Sequence, residues 1–202
     1  MGFWTSLLRK RATPITDRAG LRRFLETRAN LMAQTTLYGY LRTRAGMRFP
    51  QLFSDDAFVR SINIAKWQLW LACLADLAVY SGGLVASRSQ ARPEMVAELM
   101  RDVVEGIFRA TGTPADAGAE FPAGAQKVRA RISLCDWSSV PDDETAFSES
   151  PAALVRFAPV IDELKALDDP IVRNSVRFRW QDVRRELRRD LDAAAVLASP
   201  EC

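Results

Sequence analysis

Histidine is absent from all 202 residues. Without an imidazole the chain has no conventional Ser-His-Asp or Cys-His machinery and no His-ligated zinc or haem site. Cysteine is scarce as well. Cys73, Cys135 and Cys202 stand alone, with no spacing that suits a metal, and their odd number argues against a disulfide framework. They read as structural or incidental thiols in a reducing compartment, which points to the cytoplasm. Recognisable enzyme signatures are missing too. The sequence contains no G-x-S-x-G elbow, no phosphate-binding G-x-x-x-x-G-K-[ST] loop and no dinucleotide-binding G-x-G-x-x-G after a strand. The acidic run Asp142-Asp143-Glu144 lacks the alternation and glycine of a calcium loop. No cofactor or metal is implied.

What is present is an ordinary globular composition, 48% hydrophobic and 26% charged, which disfavours global disorder. The formal net charge of +3 hides an asymmetry. Residues 1–60 carry eleven Lys/Arg against four Asp/Glu, residues 61–172 ten against sixteen, and residues 173–202 seven against five. A basic front end suits an acidic surface, either another molecule or the acidic middle of the same chain.

Residues 1–13 form a basic, aromatic segment. Phe3, Trp4, Leu7 and Leu8 precede Arg9, Lys10 and Arg11, an apolar group beside a cationic one. The apolar run is too short for a secretory signal. Its chemistry is that of a short interfacial membrane anchor, and the competing expectation is a terminus whose Trp4 tucks onto the domain. Gly2 and Ser6 fit the myristoylation pattern formally, although the bulky Phe3 argues against it.

Residues 14–198 read as one helical domain. Thr16 or Asp17 is expected to cap a long helix reaching Gly46, with Leu21, Phe24, Leu25, Met32 and Leu41 at helical spacing. The small-residue line Thr35-Gly39-Thr43 suggests either a close neighbour or a kink. After Pro50, Ser54 is expected to cap a second helix that stops at Ser81-Gly82-Gly83. This helix is apolar nearly all round and should be the central one. A membrane span is its rival, but Lys66, Gln68 and Asp76 interrupt it, and a mid-span Asp costs about 2.5–3.5 kcal/mol on insertion scales. Pro93 opens an amphipathic third helix ending near Thr111-Gly112. Gly112 to Gly124 reads as a loop, and Val128, Ile132 and Cys135 as a fourth helix. A polar loop, Ser138 to Glu149, precedes a fifth helix capped by Ser150, with Ile161 and Leu167 on its buried face and a break at Pro159. The last helix is expected from Asp169-Pro170 onward, burying Val172, Val176, Trp180, Val183, Leu187 and Leu191. The expected fold is therefore all-α: an irregular bundle of about six helices around a strongly apolar second helix.

Two constellations are candidate sites. Asn30, Gln34 and Tyr38 share one helix face, and Asn63, Lys66 and Asp76 lie on the next helix. If these faces met, their polar groups would converge in an apolar bundle and satisfy either one another or a ligand. The second constellation is the arginine-rich last helix, where Arg177, Arg184 and Arg188 are phosphate-contact candidates. Asp182, Glu186, Asp190 and Asp192 are threaded through it at ion-pair spacing, which disfavours nucleic acid as a partner. The leading expectation is a non-enzymatic helical interaction or assembly protein with a protein partner, peripheral to a membrane surface through its first residues. The alternatives are a small hydrolase of His-free mechanism using Tyr38 and Lys66, and nucleic-acid binding through the last helix.

Overall fold

The computed structural model describes residues 14–200. Seven α-helices and one 3₁₀ segment account for most of them. Helix α1 spans Arg18–Ala45. Its cap is Asp17, whose carboxylate accepts from the Gly20 N–H at 2.6 Å, and it ends at Gly46, where φ is +54°. The 3₁₀ segment Gly46–Ser54 contains Pro50 and leads into α2, Asp56–Ser89. The cap of α2 is Asp55 rather than Ser54. Its carboxylate accepts from the N–H groups of Ala57 and Phe58, while the Ser54 hydroxyl turns back to the Gln51 carbonyl. A carboxylate there suits the positive helix end.

Helix α2 does not stop at Ser81-Gly82-Gly83. It continues to Ser89 and closes on Gln90 in the left-handed conformation, φ +52°. The two glycines serve packing. A β-carbon on Gly82 would lie 2.1 Å from the Trp137 ring, and one on Gly83 would lie 2.4 Å from Val140. They let the segment after α4 press directly on the α2 backbone. As expected, α2 is the central helix: nineteen of its residues are buried, and it touches α1, α3, α4, α5 and α7. It contains an 18-residue window apolar enough to cross a membrane, with mean hydropathy 1.7, and 89% of that window is buried inside the protein.

Helix α3 spans Pro93–Thr111 and α4 spans Phe121–Ser133, so Gly124 lies inside a helix and the expected loop ends earlier. An added β-carbon at Gly124 would come within 2.6 Å of Leu71, which explains a glycine where α4 crosses α2. The small-residue line on α1 does not play that part. At Gly39 a β-carbon would make only an ordinary 3.7 Å contact with Arg179, and Thr35 and Thr43 are exposed.

Helix α5 spans Glu149–Phe157 and breaks before Pro159 as expected, but Ser150 does not cap it. Helix α6 runs Asp162–Asp190, seven residues earlier than the expected start, with Pro170 inside it. Interior proline costs about 3 kcal/mol. Contacts on both sides of it offset that cost: Arg44 grips Asp168, the Tyr40 hydroxyl donates to Asp168 at 2.9 Å, and Arg173 pairs with Asp169 at 2.6 Å. Short α7, Ala193–Ala198, completes the bundle. The start and end of the described chain are tied together, since the Ile15 N–H donates to the Asp190 carbonyl at 2.7 Å and the Asp192 N–H to Ile15 at 3.0 Å. Buried residues from α1 to α7 belong to one contiguous cluster.

Candidate functional site

The six polar residues proposed to converge are distributed over separate places. Asn30 and Gln34 are exposed and bond to each other at 2.9 Å. Tyr38 is half-buried and stacks on Phe53, within an aromatic group that includes Phe49 and Phe58. Lys66 reaches Asn63 at 3.4 Å and Asp116 at 3.3 Å, and Asp116 also accepts from the Trp67 indole at 2.7 Å. The Trp67 and Lys66 bonds hold the Asp116 carboxyl below its ordinary range against the opposing pull of desolvation. Tyr38 and Lys66 thus belong to different clusters, and nothing here assembles the base proposed for hydrolysis.

Asp76 stands apart from the other five, fully buried in α2. Its Oδ1 accepts from Arg131 of α4 at 2.6 Å and from the Glu149 N–H at 3.1 Å, and its Oδ2 accepts from the Ser150 N–H at 2.8 Å. Those two amides are orphan donors of the α5 N-terminus, so α5 is capped by a carboxylate from another helix. Ser150, freed from capping, accepts from the buried Trp180 indole at 3.0 Å, and Arg131 also donates to the Ala146 carbonyl at 2.7 Å. One carboxylate therefore joins α2, α4, α5 and, through Ser150, α6. Burial raises its pKa above the ordinary 3.8, with Arg131 and Ser150 pulling it back. Neighbouring Cys73 is wholly buried and its thiol is pushed well up, first by burial and then by Asp76, so it packs as an apolar group.

The arginines of α6 turn inward as well as outward. Arg184 is 9% exposed; it donates to the Asp142 carbonyl at 3.1 Å and lies over the Tyr80 ring. Arg188 grips the Asp142 carboxylate at 2.7 Å, and the Tyr80 hydroxyl donates to it at 2.5 Å. Two of the three phosphate candidates therefore fasten the loop between α4 and α5; Arg177 remains exposed. That loop looks like solvated spacer by composition. It is instead anchored by buried Trp137 and by Phe147, wedged between Tyr80 and Trp180 at 5.2 and 4.6 Å. Desolvation would raise the Asp142 carboxyl, but the bonds from Arg188 and Tyr80 outweigh it and hold it below 3.8. A depressed folded pKa adds stability that is complete above the unfolded value and lost as pH falls through the folded one. Acidification below about pH 3.8 should therefore loosen the loop and shift tryptophan fluorescence. Arg188→Ala should remove that step; an unchanged acid transition in the variant would place it elsewhere.

The outer face of α6 carries the exposed apolar surface that the sequence reading missed. Leu167, Ile171 and Phe178 recur at intervals of four and seven and are 73%, 72% and 70% exposed. They lie opposite the buried Val172, Val176, Trp180, Val183 and Leu187. The expectation that Ile161 and Leu167 are buried is corrected accordingly; both face solvent because residues 162–168 belong to α6, whose buried face runs through Asp168, Val172 and Val176, and not to the fifth helix. Flanking this stripe are Glu163 near the N-terminus of α6 and Arg185 and Arg189 near its C-terminus. A simple alternation of apolar and polar faces hides such a stripe, because α6 has two apolar faces.

The membrane-contact candidates Phe3, Trp4, Leu7, Leu8, Arg9, Lys10 and Arg11 lie outside the described residues. Among the described residues no cluster of His, Cys, Asp and Glu is arranged to hold a metal ion. No family model, curated protein or solved structure matches this chain.

Proposed function

We propose that this chain is a helical interaction and assembly protein that pairs with a second copy of itself through the outer face of α6. The observation that carries the reading is the stripe of Leu167, Ile171 and Phe178, three large apolar side chains at least 70% exposed on one helix face. Isolated exposed apolar residues are ordinary, whereas a stripe in register on a long helix marks an association surface.

The occupant follows from the charges. A two-fold axis near Asn174 sets two α6 helices antiparallel, with Ile171 of each against Phe178 of the other. The same arrangement brings Glu163 of the acidic first turn alongside Arg185 and Arg189 of the copy, cations that within one chain pair with Asp182 and Asp190. An interface of this kind is self-complementary, as a two-fold contact requires. Polar Asn174 and Asp182 beside the stripe limit its apolar area and favour a reversible dimer over an obligate one.

Sedimentation velocity at tens of micromolar tests the proposal. Wild type should sediment near twice the 22.6 kDa chain mass. The double variant Ile171→Asp/Phe178→Asp should sediment as monomer with an unchanged far-ultraviolet circular dichroism spectrum, because both side chains face water. A wild type that stays monomeric, or a variant that stays dimeric, overturns the pairing.

A further inference from the structure

A groove of about 720 Å³ lies between α2, α4 and α5, and none of the residues lining it belongs to α6. That volume falls within the roughly 300–1,000 Å³ usual for small-molecule sites. Its floor is apolar and built of small residues: Leu71, Ala72 and Ala75 from α2, Val128 from α4, and Ala153 from α5. One polar side chain interrupts this floor. Gln68 is 7% exposed, and its amide nitrogen is buried without a hydrogen-bond acceptor among the described residues. Leaving such a donor unpaired costs about 1–3 kcal/mol, so its presence in a packed floor calls for an explanation.

The rim supplies a second observation. Lys127 of α4 and Arg156 of α5 line the groove, and neither forms an ion pair among the described residues; Arg156 rests over the Phe157 ring at 4.9 Å. Arg131 also lines it, but that guanidinium is committed to Asp76 and the Ala146 carbonyl. Glu120 and Glu149 stand on the same rim, both exposed to water. The mouth thus carries two cations and two carboxylates that form no ion pair among the described residues, and the apolar floor carries one unpaired amide donor. The terminal torsion of a glutamine side chain is soft, so its N–H₂ is able to turn toward an acceptor placed in the groove.

We infer that this groove binds an amphiphile with an aliphatic tail and a carboxylate head. The tail lies along Leu71, Ala72, Val128 and Ala153. The carboxylate is held by Lys127 and Arg156 and takes up the unpaired donor of Gln68. An uncharged head leaves both cations unused, and a cationic head, though Glu120 and Glu149 could meet it at the rim, is repelled by Lys127 and Arg156 and offers the Gln68 amide no acceptor.

Calorimetric titration of the full chain with sodium decanoate, below its aggregation concentration, tests the inference. Decanoate should bind with a single site per chain, and decanol and decyltrimethylammonium should each bind about tenfold more weakly or worse. Lys127→Glu/Arg156→Glu should weaken decanoate binding by about tenfold or more, and Ala152→Trp, which fills the groove, should abolish it. Gln68→Leu separates a ligand-binding role from a structural one. It removes a buried unpaired donor, so the thermal midpoint of the free protein should hold or rise while decanoate binding falls several-fold. Ile171→Asp/Phe178→Asp should bind decanoate like wild type, so loss of dimerisation and loss of this site are read independently. Absence of a decanoate heat, equal affinity for decanol, tighter binding of the cationic amphiphile, or undiminished binding in Gln68→Leu and the charge-reversal variant would each overturn the inference.

Discussion

Asp76→Ala is expected to lower the stability of the fold by about 3–5 kcal/mol, the range for breaking a buried ion pair by removing one partner. The substitution takes the carboxylate partner from the partly buried Arg131 and strips the acceptor from the N–H groups of Glu149 and Ser150. Both losses act on the contact where α5 meets α2, so α5 and the segment leading into it should loosen first. Urea unfolding followed by far-ultraviolet circular dichroism measures the loss as a fall in the midpoint at constant slope. The buried pair is not for that reason a net stabiliser. Burial holds the Asp76 pKa above its ordinary value, so ionising it inside the fold draws on folding free energy as pH rises above 3.8. Asp76→Ala/Arg131→Met, which removes both charges, should therefore recover part of the stability that Asp76→Ala loses. A single variant within about 1 kcal/mol of wild type would refute the capping role, because an ordinary buried hydrogen bond already accounts for that much.

Gly82→Ala should be nearly as damaging, although it adds one methyl group to a helix interior where alanine is normally favoured by about 1 kcal/mol. The new β-carbon would stand 2.1 Å from Cζ3 of Trp137 and 2.9 Å from Met100, so the ring must leave its place or the helix must move. Expelling a buried tryptophan costs about 3–5 kcal/mol on the scale of large-to-alanine substitutions. Trp137 is 3% exposed, so its displacement should also appear as a red shift and quenching of tryptophan emission. Combining Gly82→Ala with Trp137→Ala provides the control. If the clash is the cause, the double variant should be little worse than Trp137→Ala alone, a large departure from additivity. Additive losses would mean that Gly82 matters for some reason other than Trp137.

These two positions show where the sequence was readable. The apolar runs around Leu69, Leu74 and Leu77, the amphipathic stripe of Val96, Leu99, Val103 and Ile107, and the proline at position 93 are local signals. They located the central helix, the third helix and its start, because helix periodicity and capping depend on neighbours a few residues away. Gly82 and Gly83 carried a misleading local signal. Glycine pairs ordinarily end helices, and only the arrival of Trp137 and Val140, more than fifty residues later in the chain, makes them interior packing residues. Pro170 misled in the same way, since Arg44 and Tyr40 hold Asp168 from another helix.

The candidate sites divide along the same line. Each residue of the proposed polar cluster had a visible helical position, and Asn30 and Gln34 pair locally along α1, but the partners that matter most were set by tertiary geometry: Asp116 for Lys66, Arg131 and the α5 amides for Asp76. Arg184 and Arg188 read in sequence as phosphate contacts or as ion pairs along their own helix, and their actual partner, Asp142, was hidden because the loop that carries it follows no periodic pattern. The α6 stripe was hidden because two apolar faces on one helix blur its amphipathicity.

By itself, then, the sequence determined the class of the protein. The missing histidine removed imidazole chemistry, and the helical spacing of apolar residues settled an all-α bundle with α2 at its centre, since both are properties of composition and of short-range order. Only the tertiary structure decided which polar groups are spent and which are left over. Asp76, Arg184 and Arg188 are consumed in holding the bundle together, while Gln68, Lys127, Arg156 and the outer face of α6 retain unused bonding capacity. The physical reason is that hydrogen bonding and burial are settled pairwise across space, between groups far apart in the chain, and the identity of a residue does not specify its partner.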